Sequence, residues 1–229
     1  MPDFGKRSTE AEYMDTDCAN FDEFHECLQT LERINVLTLA YRPTLDWVKR
    51  VFSGIPRGQK LTFFDIGSGG GDMMRRIWKI ALGQGRVVEI TGVDLNPWSK
   101  KSAELVTPSN APLQFETTNV FSLGEDRKAD FVVSSLFTHH LGDVDLVNFL
   151  QWMDKHATRG WFINDLHRNW LPYYFIKFAT RFFSGNRLIR HDSYTSVARA
   201  FTAVDWRNVS CRRVYGRREF AKDRREGPA

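Results

Sequence analysis

A glycine-rich segment contains the residue types and spacing that most clearly suggest chemistry. It reads Asp65-Ile-Gly-Ser-Gly-Gly-Gly-Asp72 and follows a β-prone run at residues 61–66. Glycines let a backbone turn sharply and approach a ligand closely, and the helix expected after the segment presents free N–H groups at its N-terminus. A dinucleotide-binding fingerprint requires a glycine where Asp72 stands, and an acid there would repel a pyrophosphate. The segment therefore indicates a ligand-binding loop and disfavours an NAD-type cofactor.

A second acidic residue stands where the next predicted strand, residues 87–93, ends. Asp94 precedes Leu95, Asn96 and Pro97, and the last two are typical of the cap and first residue of a helix. The two oxygens of a carboxylate suit a bidentate hydrogen bond to vicinal ribose hydroxyls. NAD enzymes share this feature, so Asp94 narrows the choice of cofactor less than the glycine-rich loop does.

Together, the loops at residues 65–71 and 94–97 resemble those of class I S-adenosylmethionine-dependent methyltransferases. Residues 130–142 and 160–168 look like the fourth and fifth strands of small-molecule methyltransferases of the quinone-biosynthesis and polyketide-cluster kind. The match covers roughly residues 58 to 168. The resemblance implies S-adenosyl-L-methionine as cofactor, bound by Asp65, Gly67, Ser68, Gly69, Asp94, Leu95, Asn119, Val120 and Ser135.

The same resemblance gives Asn119 a specific role and adds one residue, Arg42, to the cofactor set. Asn119 stands where the family usually has an acid that reaches the adenine amino group, and its side-chain oxygen can accept the same hydrogen bond. Arg42 lies between two predicted helices and could pair with the cofactor's carboxylate. An ordinary surface arginine is the alternative for Arg42.

The acceptor is expected to be a small molecule. The segment Ser-Ser-Leu-Phe-Thr at 134–138 stands where enzymes that methylate DNA amines carry an Asn/Asp-Pro-Pro-Tyr-like motif, and the chain has no Pro-Cys pair. In this family, residues 166–203 would build the acceptor pocket. Aromatic side chains crowd its first part: Trp170, Tyr173, Tyr174, Phe175, Phe178, Phe182 and Phe183. They could wall the pocket, pack on the core, or rest on a membrane beside Lys177 and Arg181.

Methyl transfer to oxygen benefits from a base, and histidine is suited to that role near neutral pH. The candidates, in order, are His140, His191 and His167, which follow predicted strands or lie in the pocket segment. Each could instead be a hydrogen-bonded loop residue. If the protein only orients a reactive acceptor beside the methyl group, no base is needed.

Alternating strands and helices predict an α/β fold of the Rossmann-like, doubly wound class. Two amphipathic helices, 20–37 and 44–53, precede a Gly/Pro break, so residues 1–57 are predicted to form an N-terminal helical cap and 58–229 the core. β-prone stretches at 207–214 and 217–222 predict an antiparallel hairpin at one edge of a seven-stranded, mostly parallel sheet.

Composition agrees with a globular enzyme. The 229 residues are 42% hydrophobic and 26% charged, and their net charge of +4 is too small to indicate a nucleic-acid partner. Three cysteines without a CxxC pair predict a reduced, cytoplasmic protein with no disulfide framework, and no metal site is identified. No signal peptide or membrane span is apparent. We expect a monomer or homodimer.

The sequence thus predicts an enzyme that moves a methyl group to an oxygen, or less readily a carbon, of a small hydrophobic or phenolic metabolite. A non-catalytic S-adenosylmethionine-binding regulatory or scaffold protein is one alternative. An NAD(P)-dependent oxidoreductase is the other, and the acids at positions 65 and 72 disfavour it.

Overall fold

The computed structural model describes residues 3–16, 20–183 and 185–209. The five strands are β1 (Leu61–Ile66), β2 (Val88–Asp94), β3 (Leu113–Thr117), β4 (Ala129–Ser135) and β5 (Ala157–Asn164). The helices are α1 (Tyr13–Thr16), α2 (Phe21–Leu37), α3 (Arg42–Ser53), α4 (Asp72–Gly83), α5 (Pro97–Val106), α6 (Asp143–His156), α7 (Trp170–Phe183) and α8 (Arg187–Arg199). Residues 203–209 are also helical. Among the helices described, none has the length and apolarity that a membrane crossing requires.

The sheet is parallel and has the order β3-β2-β1-β4-β5. Strand β1 lies in the centre of the sheet. The chain continues outward through β2 and β3 on one side and then crosses back to form β4 on the other side of β1. Ligands bind such sheets in the crevice outside the carboxyl ends of the strands, where the winding reverses. The fold therefore brings the loops that follow β1, β2 and β4 to one crevice.

Helices cover both faces of the sheet. On one face, Phe52 of α3 and Ile77 of α4 are fully buried in one cluster with Phe63 of β1. On the other face, Phe149 of α6 is fully buried in a cluster with Phe64. Because β1 is enclosed on both sides, its residues form a nearly continuous apolar run, as the sequence Leu-Thr-Phe-Phe-Asp-Ile shows.

The element pattern predicted from the sequence matches most of this architecture. Asn20 caps α2 by accepting a hydrogen bond from the Glu23 amide. Helix α3 packs directly on the sheet, because Trp47 stacks on Phe162 of β5. The division into a cap at 1–57 and a core at 58–229 stays a prediction.

The seven-stranded sheet with an antiparallel hairpin is wrong for the described residues, which contain five strands, all parallel. Residues 207–209 are helical rather than extended. Thr202 and Asp205 exchange hydrogen bonds between side chain and backbone in a reciprocal cap that starts this helix. Trp206 and Val209 then pack into the core cluster one turn apart. The rest of the predicted hairpin, residues 210–222, lies outside the described residues.

Candidate active site

The glycine-rich loop after β1 adopts a backbone that only glycine accepts without strain. Gly67, Gly69 and Gly71 have φ of +71°, +48° and +71°. A Cβ on Gly67 would stand 2.5 Å from the ring of Phe137, and one on Gly71 would stand 2.7 Å from Phe115. The loop therefore runs as a bare backbone between two aromatic rings, with its other side against a cavity.

Asp94 fixes the shape of this loop from the end of β2. Its Oδ2 accepts the Gly69 amide at 2.8 Å, and its Oδ1 accepts the Asn96 amide at 2.9 Å. Burial raises the pKa of Asp94, and the hydrogen bonds from these two amides oppose that rise. Leu95, the next residue, is 71% exposed and still borders the cavity.

Two more carboxylates lie at the same loop. Asp65 is 2% exposed, and its Oδ2 is buried without a hydrogen-bond partner among the described residues. Burial raises the pKa of Asp65 well above its usual value, and the neighbouring Asp72 and Asp94 raise it further. Asp72 accepts a hydrogen bond from the hydroxyl of Tyr41, although burial still raises its pKa. This concentration of acids favours a ligand with a positive charge.

The loops after β3 and β4 complete the wall of the cavity. The side-chain oxygen of Asn119 accepts the Phe121 amide at 3.0 Å and keeps a second lone pair. Val120 is 7% exposed and packs into the core while bordering the cavity. The Ser135 hydroxyl lies 2.9 Å from the hydroxyl of Thr44. The residues of the predicted cofactor set that border this one cavity are Asp65, Gly67, Ser68, Gly69, Asp94, Leu95, Asn119, Val120 and Ser135.

Arg42 is the member of the predicted set that the structure places elsewhere. Its side chain is 72% exposed, it does not border the cavity, and its Nε lies 3.4 Å from Asp46 one turn along α3. The i, i+4 spacing on a helix explains this ion pair.

The three candidate histidines separate in space. His140 borders the cavity, and its Nε2 lies 3.8 Å from Oε2 of Glu12. His167 is exposed and does not border the cavity. His191 is 8% exposed and also lies outside the cavity lining. Of the three, only His140 is placed to meet an acceptor.

His191 instead anchors the N-terminal segment. Its Nδ1 lies 2.9 Å from Asp192, its Nε2 lies 3.0 Å from Glu10, and its ring stacks on Tyr13 at 3.5 Å between centroids. The Asp192 carboxylate also accepts the backbone amides of Tyr13 and Met14, at 2.7 and 2.8 Å. These contacts hold residues 10–14 beside the cavity.

That segment delivers Glu12 to a network that the sequence analysis missed. Nδ1 of His139 donates to Oδ1 of Asp165 at 2.7 Å, and Nε2 of His139 lies 3.5 Å from Oε1 of Glu12. The Ser196 hydroxyl donates to the same Glu12 oxygen at 2.8 Å. Both Glu12 and His139 are 3% exposed. The doubled histidine after β4 was the available signal, but nothing in the sequence linked it to Glu12.

Charge pairing decides the protonation of this network. Burial by itself would lower the pKa of His139, yet the charges and hydrogen bonds of Asp165 and Glu12 raise it to about 10. Burial would raise the pKa of Glu12, yet the hydrogen bond to His139 and the nearby His140 lower it to about 2. At neutral pH a charged imidazolium therefore stands between two carboxylates, and Glu12 presents an ionised oxygen to His140.

The same residues bear on metal binding. The sequence analysis identified no metal site, but Glu12, His139 and His140 each offer a ligand atom, and these atoms lie within 4.8 Å of one another. Such a set could hold a divalent ion. The ion pairing described above satisfies Glu12 and His139 without one.

The cavity is large enough for two ligands. Its volume is about 2130 Å³, whereas typical small-molecule sites occupy roughly 300–1,000 Å³. Phe175, Ile176 and Ala179 of α7 form part of its wall at a distance along the chain from the glycine-rich loop. Among the other aromatic residues of α7, Tyr173 is buried, whereas Trp170, Tyr174 and Phe178 are exposed. The side chains of Phe182 and Phe183 are not among those the structure describes.

Comparison with known proteins identifies the central part of the chain. Residues 64–160 match a family described as a methyltransferase domain. This stretch is a methyltransferase domain. It contains the second half of β1, strands β2 to β4, the glycine-rich loop, Asp94 and the two histidines after β4. A comparison with curated proteins found no match.

Solved structures resemble the protein in fold. The plantazolicin methyltransferase BpumL in complex with SAH has 14% identity and a TM-score of 0.64, covering 86% of this chain and 70% of its own. The magnesium protoporphyrin IX methyltransferase ChlM from Synechocystis PCC 6803, with bound SAH, has 18% identity and a TM-score of 0.50, covering 76% and 73%. The citrinin polyketide synthase CMeT domain has 11% identity and a TM-score of 0.55, covering 76% and 45%.

The prediction of a methyltransferase with a Rossmann-like fold is thereby confirmed. S-adenosylmethionine as the cofactor is supported by the domain match. The buried, unpartnered Asp65 oxygen fits this cofactor, because its positively charged ammonium and sulfonium groups are what an acidic site would recognise.

Proposed function

We propose that this methyltransferase transfers the methyl group of S-adenosylmethionine to an oxygen of a small hydrophobic or phenolic metabolite. The observation that carries the proposal is that one cavity is bordered by the glycine-rich loop with Asp65 and Asp94, by His140, and by the apolar side of α7. When bound, the cofactor supplies an electrophilic methyl group on a sulfonium, and the chain supplies binding, orientation and a place for the acceptor's proton.

The cofactor would be held by acids and bare backbone. The Asp94 carboxylate already accepts the Gly69 and Asn96 amides and the Ser99 side chain, and of its roughly four lone-pair positions it retains one for a ribose hydroxyl. Asp65, freed of its proton by a nearby ammonium, would neutralise the amino group of the cofactor. The amide oxygen of Asn119 has one lone pair left for the adenine amino group.

His140 would accept the proton of the acceptor hydroxyl. Its Nε2 faces the ionised Glu12 carboxylate at 3.8 Å, so the imidazolium formed on proton transfer gains a nearby negative charge. Glu12 acts through His140 and is a positioning residue. Asp165 and His139 in turn hold Glu12 in place.

The acceptor class follows from the part of the cavity lining that α7 and α2 contribute. Phe175 and Ile176 of α7 and Leu31 of α2 give that part an apolar surface. This apolar part of the lining, with His140 in the same cavity, suits an acceptor that is mostly hydrocarbon or aromatic and carries one hydroxyl. Methylation at carbon would use the same arrangement with an activated aromatic ring.

The test has two stages. Calorimetry with S-adenosylhomocysteine asks whether the folded protein binds the product of the cofactor, and no binding would overturn the proposal. Incubation of radiolabelled cofactor with a library of phenols and hydroxylated lipids then asks for transfer, and NMR of the product assigns the methylated atom. Binding without transfer to any acceptor would favour a non-catalytic regulatory or scaffold protein.

The remaining predictions concern the setting of the protein. We propose that it acts on a small-molecule acceptor rather than a nucleic acid, as a monomer or homodimer in the cytoplasm. Cys27, the free cysteine among the described residues, is buried, in keeping with a reduced environment. Light scattering after gel filtration measures the oligomeric state directly.

A further inference from the structure

The outer surface of α7 carries a band of exposed apolar side chains. Leu171, Tyr174, Phe175 and Phe178 follow i, i+3, i+4, i+7 spacing and therefore lie on one side of the helix. They are 61%, 41%, 62% and 67% exposed, and Trp170 at the start of α7 is 60% exposed. We call these five residues the α7 aromatic stripe. Exposed apolar patches of this kind usually mark a surface that binds something.

The segment that carries the stripe is basic, although Arg187 pairs with Glu23 of α2 at 3.4 Å. Residues 166–191 contain no acid and five bases: Arg168, Lys177, Arg181, Arg187 and Arg190. Arg168 is buried and paired with Asp205, whereas Lys177, Arg181 and Arg190 are exposed. Lys177 and Arg181 lie one turn from Tyr174 and Phe178, at the edge of the stripe. Aromatic residues bordered by bases on one helix are typical of a segment that lies in the interface of an anionic membrane.

The stripe is continuous with the cavity. Phe175 is exposed and also borders the cavity, and Ile176 and Ala179, further round the same helix, border it from inside. A molecule dissolved in a bilayer beneath the stripe would pass Phe175 and enter the cavity without crossing water. This arrangement suits an acceptor whose hydrocarbon part keeps it in the membrane.

We propose that the α7 aromatic stripe docks on the surface of an anionic membrane, from which the cavity takes a lipophilic acceptor. Docking stands on the stripe and its bases alone, while delivery of an acceptor rests on the proposed function. Leu171 and Phe178 would bury their side chains among the acyl chains, and Lys177 and Arg181 would extend to the lipid phosphates.

The experiment is vesicle flotation of the full chain. We expect binding to vesicles of phosphatidylcholine with phosphatidylglycerol, weak binding to phosphatidylcholine alone, and release as salt is raised. Leu171→Asp with Phe178→Asp should reduce binding about tenfold or more, because it removes two large apolar side chains from the contact. Leu105→Asp with Val144→Asp is the matched control, since those residues are 63% and 70% exposed on other helices.

A charge variant separates the basic rim from the apolar stripe. Lys177→Glu with Arg181→Glu should remove the preference for anionic vesicles. Lys79→Glu with Arg57→Glu makes the same change in net charge at exposed positions away from α7 and should leave the preference intact. Equal binding by the rim variant and its control would overturn the electrostatic part of the proposal.

Two further outcomes overturn the docking itself. One is the absence of flotation with either vesicle. The other is a dimer, seen by light scattering, that the Leu171 and Phe178 substitutions dissociate, because a second copy would then cover the stripe. Calorimetry with S-adenosylhomocysteine on the same variants should be unchanged, since none of the substituted residues borders the cavity. Vesicle binding by a protein that fails to bind S-adenosylhomocysteine would leave docking standing and the proposed function overturned.

Discussion

The carboxylate of Asp165 accepts a hydrogen bond from Nδ1 of His139 at 2.7 Å, and this contact joins the carboxyl ends of β5 and β4. Asp165 also accepts the His139 amide at 2.8 Å, so one carboxylate fixes both the ring and the backbone of that residue. The ring is thereby turned with its other nitrogen towards Glu12. Glu12, in turn, lies beside His140 at the cavity.

Asp165→Asn tests whether this contact acts on the reaction. The amide lacks a negative charge that helps to hold His139 protonated, so Glu12 loses a charged partner, keeps the Ser196 hydroxyl, and is less firmly held beside His140. We expect kcat to fall by roughly tenfold to a hundredfold, with little change in the affinity for S-adenosylhomocysteine, and the pH profile of kcat to shift. Asp154→Asn is the control, because Asp154 likewise accepts a ring N–H, from Trp161, away from the cavity. Equal losses in both variants would mean that the effect is only structural.

The same pair should make the free energy of unfolding depend on pH. The pKa of His139 is raised from 6.5 to about 10, so its stabilisation is complete below pH 6.5 and is lost as pH rises towards 10. The pKa of Glu12 is lowered from 4.5 to about 2, so its stabilisation is complete above pH 4.5 and is lost as pH falls towards 2. Urea unfolding should therefore show a plateau for this network between pH 4.5 and 6.5.

Variants separate this network from other titrating groups. His139→Gln should flatten the alkaline fall in the free energy of unfolding, and Glu12→Gln should reduce both slopes. If the free energy of unfolding of each variant depends on pH as in the unsubstituted protein, His139 and Glu12 do not form a charged pair in solution.

Asp94→Ala should weaken S-adenosylhomocysteine binding by roughly tenfold to a hundredfold, because hydrogen bonds to a charged group are worth about 1.5–3 kcal/mol. Asp94→Asn retains an oxygen for the Gly69 amide and should lose less. Asp46→Ala removes a surface carboxylate of α3 and serves as the control in calorimetry. Unchanged binding by Asp94→Ala would refute the ribose assignment.

Gly67→Ala should cost stability and cofactor affinity together. Alanine at position 67 would have to adopt the left-handed φ of +71°, and its Cβ would stand 2.5 Å from the Phe137 ring. Backbone strain of this kind costs of order 1–3 kcal/mol. Gly160→Ala is the control, because a Cβ there meets nothing within 4 Å. Adding Phe137→Ala should recover the part of the loss that comes from the collision, and additive losses in thermal unfolding would argue against it.

The metal content of the purified protein gives a second test of whether His139 is protonated in its network with Glu12 and Asp165. Because His139 is charged and donates to two carboxylates, we expect the purified protein to hold less than one equivalent of metal and to keep its activity after EDTA treatment. Mass spectrometry of the metal content measures this. One tightly bound divalent ion per chain would show that Glu12, His139 and His140 are ligands.

The sequence by itself determined the order of the elements from β1 to β5 and the positions of the glycine-rich loop and Asp94 at strand ends. Asp65 and Gly67 were identifiable because they lie two residues apart at the end of a predicted strand, and Asp94 because it directly follows the next predicted strand; such local spacing is visible in a sequence. Thr202 and Asp205 stand at capping distance in the sequence, a signal of a helix start that the hairpin prediction did not use.

Only the tertiary structure decided which histidine meets the cavity. His140, His167 and His191 each follow a plausible element, yet the fold turns one towards the cavity, exposes one, and uses one to hold the N-terminal segment. Glu12 and Asp165 meet at His139 because separate elements pack together, and burial then forces their charges to pair. The sequence does not show which elements pack together or how far water is excluded from their contact. The network of Glu12, His139 and Asp165 could therefore be recognised only in the folded chain.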